Sequence, residues 1–160
     1  VELDTIDAKD KQILALLQED AMMPATEIAD RVGLSTTPCW RRIQKLEEAG
    51  FIRKRVALLD RERLNVPVSV FVAVRTSRHA TDWFEAFNRM VQDIPEIVEA
   101  YRMSGEIDYL LRVVVADIAG FDSVYKRMID RVDFADVSSS FSMEELKYTT
   151  AIPLDHAPLR

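Results

Sequence analysis

Residues 25–55 read ATEIADRVGLSTTPCWRRIQKLEEAGFIRKR, and the organisation of the N-terminal third follows from them. Ile28, Ala29 and Val32 fall on one side of a short helix over residues 25–32. Gly33 permits a tight turn, and small Ala29 lets two helices approach closely. Ser35 or Thr36 is placed to cap a second helix. Pro38 is tolerated in its first turn, where amide donors lack partners anyway. At roughly 100° per residue, Cys39, Ile43 and Leu46 share the inner face, with Trp40 at its edge. Thr37, Pro38, Arg41 and Lys45 then point outward together, flanked by Arg42 and Gln44. Gly50 ends the helix, and residues 51–59 read as one or two extended strands.

The charge of this stretch is out of step with the rest. Residues 31–55 carry seven Lys/Arg against two Glu, a net of +5 in a chain whose total is −6. An acidic protein that gathers its positive charge on a helix-turn-helix-like segment holds that segment out to a polyanion. In such motifs the second helix enters the major groove of double-stranded DNA while neighbouring basic groups hold phosphates. Ser35, Thr36, Thr37 and Arg41 are therefore candidates for base edges or nearby phosphates. Arg42, Lys45 and the wing residues Arg53, Lys54 and Arg55 are candidates for positioning the backbone. Cys39 and Trp40 are read as core, with a reactive thiol at Cys39 as the lesser reading.

Around this stretch the pattern changes twice. Upstream, Asp7 caps a helix running to about Asp20, with Asp10 placed like the acid of a capping box and Ile13, Leu14 and Leu17 as its apolar stripe. Downstream, residues 61–65 look like a short polar hinge, and from Val66 the period becomes two. A helix from Thr81 carries Trp83, Phe84, Phe87, Met90 and Val91. Strands follow over residues 97–103 and 108–116, the second nearly continuously apolar and therefore central. Asp117 caps a helix with Phe121, Val124, Tyr125, Met128 and Val132 inward, and residues 136–143 form the last strand. The order β-α-β-β-α-β is the ferredoxin-like arrangement. The expected fold class is α+β: a winged helix-turn-helix over residues 1–60, a hinge over 61–65, and a ferredoxin-like domain over 66–160. Residues 147–154 trail from that domain as an extended segment.

Composition narrows the function. Nearly half of the 160 residues are hydrophobic and 30% are charged, a globular balance. No apolar run approaches the roughly 18–20 residues of a membrane helix. The first residues, VELDTIDAKDKQ, are acidic and polar where a signal peptide is basic and then apolar, so a cytoplasmic location is expected. One cysteine and two distant histidines leave no zinc-site spacing. No catalytic triad, Cys/His pair or phosphate-cradling glycine loop is present, so neither an enzyme nor a resident cofactor is expected. The turn Gly105-Glu106-Ile107-Asp108-Tyr109 reads first as an ordinary β-turn. It also suits a small-molecule pocket, with Gly105 admitting a ligand to the backbone and Glu106 and Asp108 taking an ammonium group. The serines at 138, 140 and 142 form a polar row that folding can bring to the same place.

The segments LDTIDAKDKQILALLQEDA, ADRVGLSTTPCWRRIQKLEEAGFI and MSGEIDYLLRV closely resemble the Lrp/AsnC (leucine-responsive, feast/famine) family of transcription regulators. The resemblance covers nearly the whole chain, and the order and spacing of the three segments make it specific. It implies a winged helix-turn-helix joined to an αβ sandwich that binds a small amino acid as effector. It also implies homodimers that associate further, commonly into octamers, with effectors between dimers, in a bacterial or archaeal cytoplasm at the nucleoid. By position, effector contacts are implied around Met103, Ser104, Gly105, Glu106, Asp108 and Tyr109, with Ser138 and Ser140 on the facing strand. Closeness to the branch bearing TTPCW and MxGExDYL suggests control of amino-acid catabolism, sulfur amino acids among the candidates. Two other classes stay open: an amino-acid-sensing regulatory subunit of a metabolic enzyme, and an effector-independent DNA-organising protein.

Overall fold

The computed structural model describes residues 5–160; residues 1–4, which include Leu3 and Asp4 of the first quoted segment and the start of the expected 1–60 domain, lie outside the described residues. Two compact units are present. The first comprises residues up to Leu58 together with Lys147–Arg160, and the second Leu59–Leu146.

The first unit holds helices α1 (Ala8–Glu19), α2 (Ala25–Val32) and α3 (Thr36–Glu48). Asp7 caps α1 in a reciprocal box: its carboxylate accepts from the Asp10 amide at 2.8 Å, and the Asp10 carboxylate accepts from the Asp7 amide at 3.1 Å. Ile13 and Leu17 of α1, Ile28, Ala29 and Val32 of α2, and Cys39, Ile43 and Leu46 of α3 close one core with Ile6. The turn between α2 and α3 rests on Gly33 at φ 71°, whose amide and that of Leu34 both return to the Ala29 carbonyl. An L side chain there is forced into the left-handed region, so Gly33→Ala should cost about 1 kcal/mol. A thermal melt of the variant, read on the first unit's amides, checks this; an unchanged midpoint would remove Gly33 as the determinant of the turn.

Two expectations for this unit need correction. Residues 51–59 form no strand: among the described residues, the segment joins no ladder. An extended segment is stabilised by a neighbouring strand, and here Arg55 is instead tied down by its side chain, donating to Glu47 at 2.6 Å and to the Ala21 carbonyl at 3.2 Å. The tail from Lys147, expected to trail from the ferredoxin-like domain, clusters with the first unit. Gln18 and the Ile152 backbone exchange two hydrogen bonds of 3.0 Å, Leu159 bridges Ile6 in parallel, and Ala157 packs on the helical core. These contacts are separated by more than a hundred residues, beyond what local periodicity reports.

The second unit is the βαββαβ sandwich: β1 (Val68–Arg75), α4 (Thr81–Asp93), β2 (Ile97–Arg102), β3 (Tyr109–Val115), α5 (Ile118–Arg131) and β4 (Asp136–Phe141). The sheet order is β2-β3-β1-β4 with all pairs antiparallel, so apolar β3 is indeed central. Val70, Val72 and Val74 of β1 and Leu111, Val113 and Val115 of β3 turn to the helices and meet Trp83, Phe87, Met90, Phe121, Val124 and Met128. The Asp117 carboxylate caps α5 by accepting from the Gly120 amide at 2.7 Å. Phe84, expected in the inward stripe of α4, is exposed: it lies beyond the arc that the sheet covers.

Candidate nucleic-acid interface and effector site

The first unit presents α3 as an exposed helix with a buried back. Ser35, Thr36, Thr37, Arg41 and Lys45 are exposed, as are Arg53, Lys54 and Arg55 after the helix. Ser35 occupies the N-cap position, yet its hydroxyl makes no capping bond. The hydroxyls and the unpartnered amides of this first turn are thus presented together, the arrangement that suits a phosphate oxygen. Among the described residues, no ion pair involves Arg41, Lys45, Arg53 or Lys54.

Arg42 departs from its expected role. Its guanidinium donates to Asp7 at 2.6 Å and Asp10 at 3.0 Å, tying α3 to the capping box of α1. Both carboxylates lean on this one cation, and the Asp7 carboxyl is held down at about 2, first by the hydrogen bond from Arg42. The residue is an internal bridge and not a free phosphate contact. Trp40 departs in the other direction: read as core, it is 52% exposed. Cys39 is buried, and desolvation pushes its thiol up, so it stays protonated and unreactive.

In the second unit the turn after β2 is tied to β1. The Asp108 amide donates to the Val74 carbonyl at 2.9 Å, and the Met103 amide to the Asp108 carbonyl at 2.8 Å. The Asp108 carboxylate accepts from the Thr76 amide at 2.8 Å, which fixes its position at the mouth of a cavity of about 320 Å³. Met103, Trp83, Phe84 and Tyr109 give the cavity apolar walls; Arg78 and Arg102 supply cations beside the Asp108 anion, and His79 adds an imidazole. A larger hollow of about 410 Å³ lies between α5 and β4, lined by Tyr125, Ile129, Asp133, Phe134 and Asp136. It offers only acidic charge, and none of the expected effector residues lines it, so the smaller cavity is the better candidate.

Of the expected effector set, Met103, Asp108 and Tyr109 come together at this cavity. Ser104, Gly105 and Glu106 are exposed on the turn and do not line it. Ser138 and Ser140 lie across β1, opposite Ala73 and Phe71, and do not line it either. The residues that sequence reasoning missed are Arg78, His79 and Arg102, with Thr76, Trp83 and Phe84. A signal was available: in a βαββαβ sheet the loop after β1 adjoins the start of β3, so the TSRHA loop had to face the Asp108 turn. Among the described residues, no cluster of three metal-ligating side chains is present, and no helix is long and apolar enough to cross a membrane.

Residues 6–47 match the AsnC-type helix-turn-helix domain, and residues 69–152 the Lrp/AsnC ligand binding domain. The chain is 46% identical over 149 residues to the glutamate uptake regulatory protein of Zymomonas mobilis, covering 93% of this chain and 91% of that one. It is 42% identical to the DNA-binding transcriptional activator DecR of Escherichia coli, covering 94% and 99%. An AsnC family regulator from Agrobacterium tumefaciens superposes with a TM-score of 0.90 at 57% identity, over 94% of this chain and 98% of that one. A transcriptional regulator of Neisseria meningitidis, solved as a complex with L-Met, superposes at 0.91 with 37% identity, over 95% and 99%. With a helix-turn-helix unit, a ligand-binding sandwich and relatives that match both across almost their full length, this chain belongs to the Lrp/AsnC family of DNA-binding transcription regulators.

Proposed function

We propose that this regulator binds operator DNA through α3 and takes a free amino acid with an apolar side chain in the Asp108 cavity as its effector. The observation that carries the effector reading is the distribution of charge around that cavity. An α-amino acid is a zwitterion beside a variable side chain. Asp108 suits its ammonium group, Arg78 or Arg102 its carboxylate, and the Met103, Trp83, Phe84 and Tyr109 walls an apolar side chain. The L-Met complex of the Neisseria relative supports an effector of this class. The chain acts without catalysis, in the cytoplasm and at the nucleoid, as homodimers that assemble further into octamers. The amino acid then changes DNA binding only by favouring one assembly over another, because a ligand that binds all states equally shifts nothing.

A thermal-shift screen of the common amino acids tests the effector. One or a few with apolar side chains should raise the melting midpoint, as any ligand selective for the native state does. Stabilisation by none would leave a DNA-organising protein without an effector. Mass measurement with and without the active amino acid then reads the assembly.

At the DNA end, Ser35, Thr36, Thr37 and Arg41 are proposed for base edges and nearby phosphates, and Lys45, Arg53, Lys54 and Arg55 for the backbone. Arg41→Ala should lower affinity for a selected operator by roughly tenfold or more, and affinity for random duplex much less. Equal losses on both would make Arg41 a phosphate contact.

A further inference from the structure

α3 carries one large apolar side chain that its own unit does not cover. Trp40 is the fifth residue of the helix, and its indole is 52% exposed while the neighbouring Cys39 is fully buried. Among the described residues, it belongs neither to the buried helical core nor to the partly buried side chains packed against that core. On the helix, Trp40 neighbours Thr36 and Thr37 one turn before it and Gln44 one turn after, and helical side chains lean toward the N-terminus. The indole therefore borders the exposed hydroxyl-bearing first turn, on the side of the Arg41 and Lys45 row away from the Arg42 bridge.

We propose that Trp40 is a specificity-determining residue of the DNA interface, its indole packing on thymine 5-methyl groups in the major groove. The inference rests on α3 being the helix that enters the groove. Charge decides the occupant: the exposed Arg41 and Lys45 row runs along the same helix beside the indole, which suits a polyanion. Position decides the contact, because the N-terminal residues of a recognition helix are those that reach base edges. Chemistry decides the base. The two faces of the indole are apolar and its ring nitrogen can only donate from one edge, and thymine alone offers an apolar group to such a face in that groove. Phosphate contacts hold any duplex; an apolar contact of this kind discriminates among sequences.

The test uses the full chain and a duplex selected by it from a random pool, compared with a scrambled duplex of equal length. Trp40→Ala should weaken binding to the selected duplex by about tenfold or more and leave the scrambled duplex within about twofold. Trp40→Phe should recover part of the loss. Replacing individual thymines of the selected duplex by deoxyuridine should cost the wild type about fourfold at the contacted position, the worth of one buried methyl. It should cost Trp40→Ala nothing there. Trp40 is exposed, so the variants should fold, and hydrogen exchange of α1 and α3 verifies it. Equal losses on both duplexes, an uracil penalty that survives in Trp40→Ala, or a change in assembly mass with DNA affinity intact would each overturn the proposal. A wild type that selects no duplex at all would instead defeat the DNA-binding reading on which it rests.

Discussion

Arg42→Met should loosen the helix-turn-helix unit by about 3 kcal/mol, the largest stability effect expected of any change in a charged residue of that unit. The arithmetic starts from the capping box. Asp7 and Asp10 each place a carboxylate against the other's amide, which brings two anions together at the N-terminus of α1. Asp10 is 4% exposed, so water relieves little of its charge. Among the described residues, the Arg42 guanidinium, 2.6 Å from one carboxylate and 3.0 Å from the other, is the cation that offsets the repulsion. Removing it leaves a buried anion beside a second one, and breaking one side of a largely desolvated pair costs on the order of 3 kcal/mol. Amide exchange in α1 and α3 should speed up by roughly a hundredfold while α4 and α5 are untouched. The sign of the acid dependence follows from Asp7, whose carboxyl is held at about 2 against an ordinary 3.8. A lowered carboxylate stabilises the fold above its unfolded value, and that stability is lost as pH falls from about 4 through about 2. It is worth about 1–2 kcal/mol once solvent screening of partly exposed Asp7 is allowed for. In Arg42→Met that pH dependence should flatten. If the variant exchanges like wild type, the bridge is ornamental and Arg42 returns to the DNA-facing set.

The same residue shows where reading a sequence stops. Helix α2 has the bounds that its apolar spacing and Gly33 demand, and the caps at Asp7 and Asp117 hold the amides that local spacing assigns them. These are features decided within four residues. The Arg42–Asp7 pair spans 35 residues, and nothing in the periodicity of α3 reveals which acid lies beside it. Trp40 and Phe84 fail for a related reason. A helical wheel gives the angle of a side chain about its own axis but not the width of the surface that covers it. Both sit at the border of an apolar arc, and in both cases the cover ends before reaching them. The cavity was half legible: Met103, Asp108 and Tyr109 lie in one motif, while Arg78 and His79 come from a loop about thirty residues earlier that only the sheet order brings alongside. Ser138 and Ser140 show the converse. Alternation places them on one face of β4, but β4 lies on the far side of β1 from the turn they were expected to serve.

Asp108→Ala should abolish the response to the amino acid, and Asp108→Asn separates the two tasks of this side chain. One task is structural. The carboxylate accepts from the Thr76 amide at 2.8 Å and so pins the loop that carries Arg78 and His79 against the turn. An amide oxygen can accept the same bond, so Asp108→Asn should keep that loop and hold stability within about 1 kcal/mol of wild type. The other task is charge. If the carboxylate receives the effector's ammonium group, the neutral amide loses a charge-assisted bond worth about 1.5–3 kcal/mol, a ten- to hundredfold loss of affinity. Asp108→Ala loses both and leaves the Thr76 amide, itself buried, without its acceptor. More than a hundredfold weaker binding is then expected, with faster exchange confined to the loop after β1. Calorimetric titration of the amino acid found in the thermal-shift screen reads both variants. Three outcomes are distinct. Weak binding by both, with the loop intact in the asparagine variant, assigns the ammonium to Asp108. Weak binding by the alanine variant alone makes the residue a scaffold for Arg78 and His79. Unchanged titration in both removes the cavity as the effector site and sends the search to the hollow between α5 and β4.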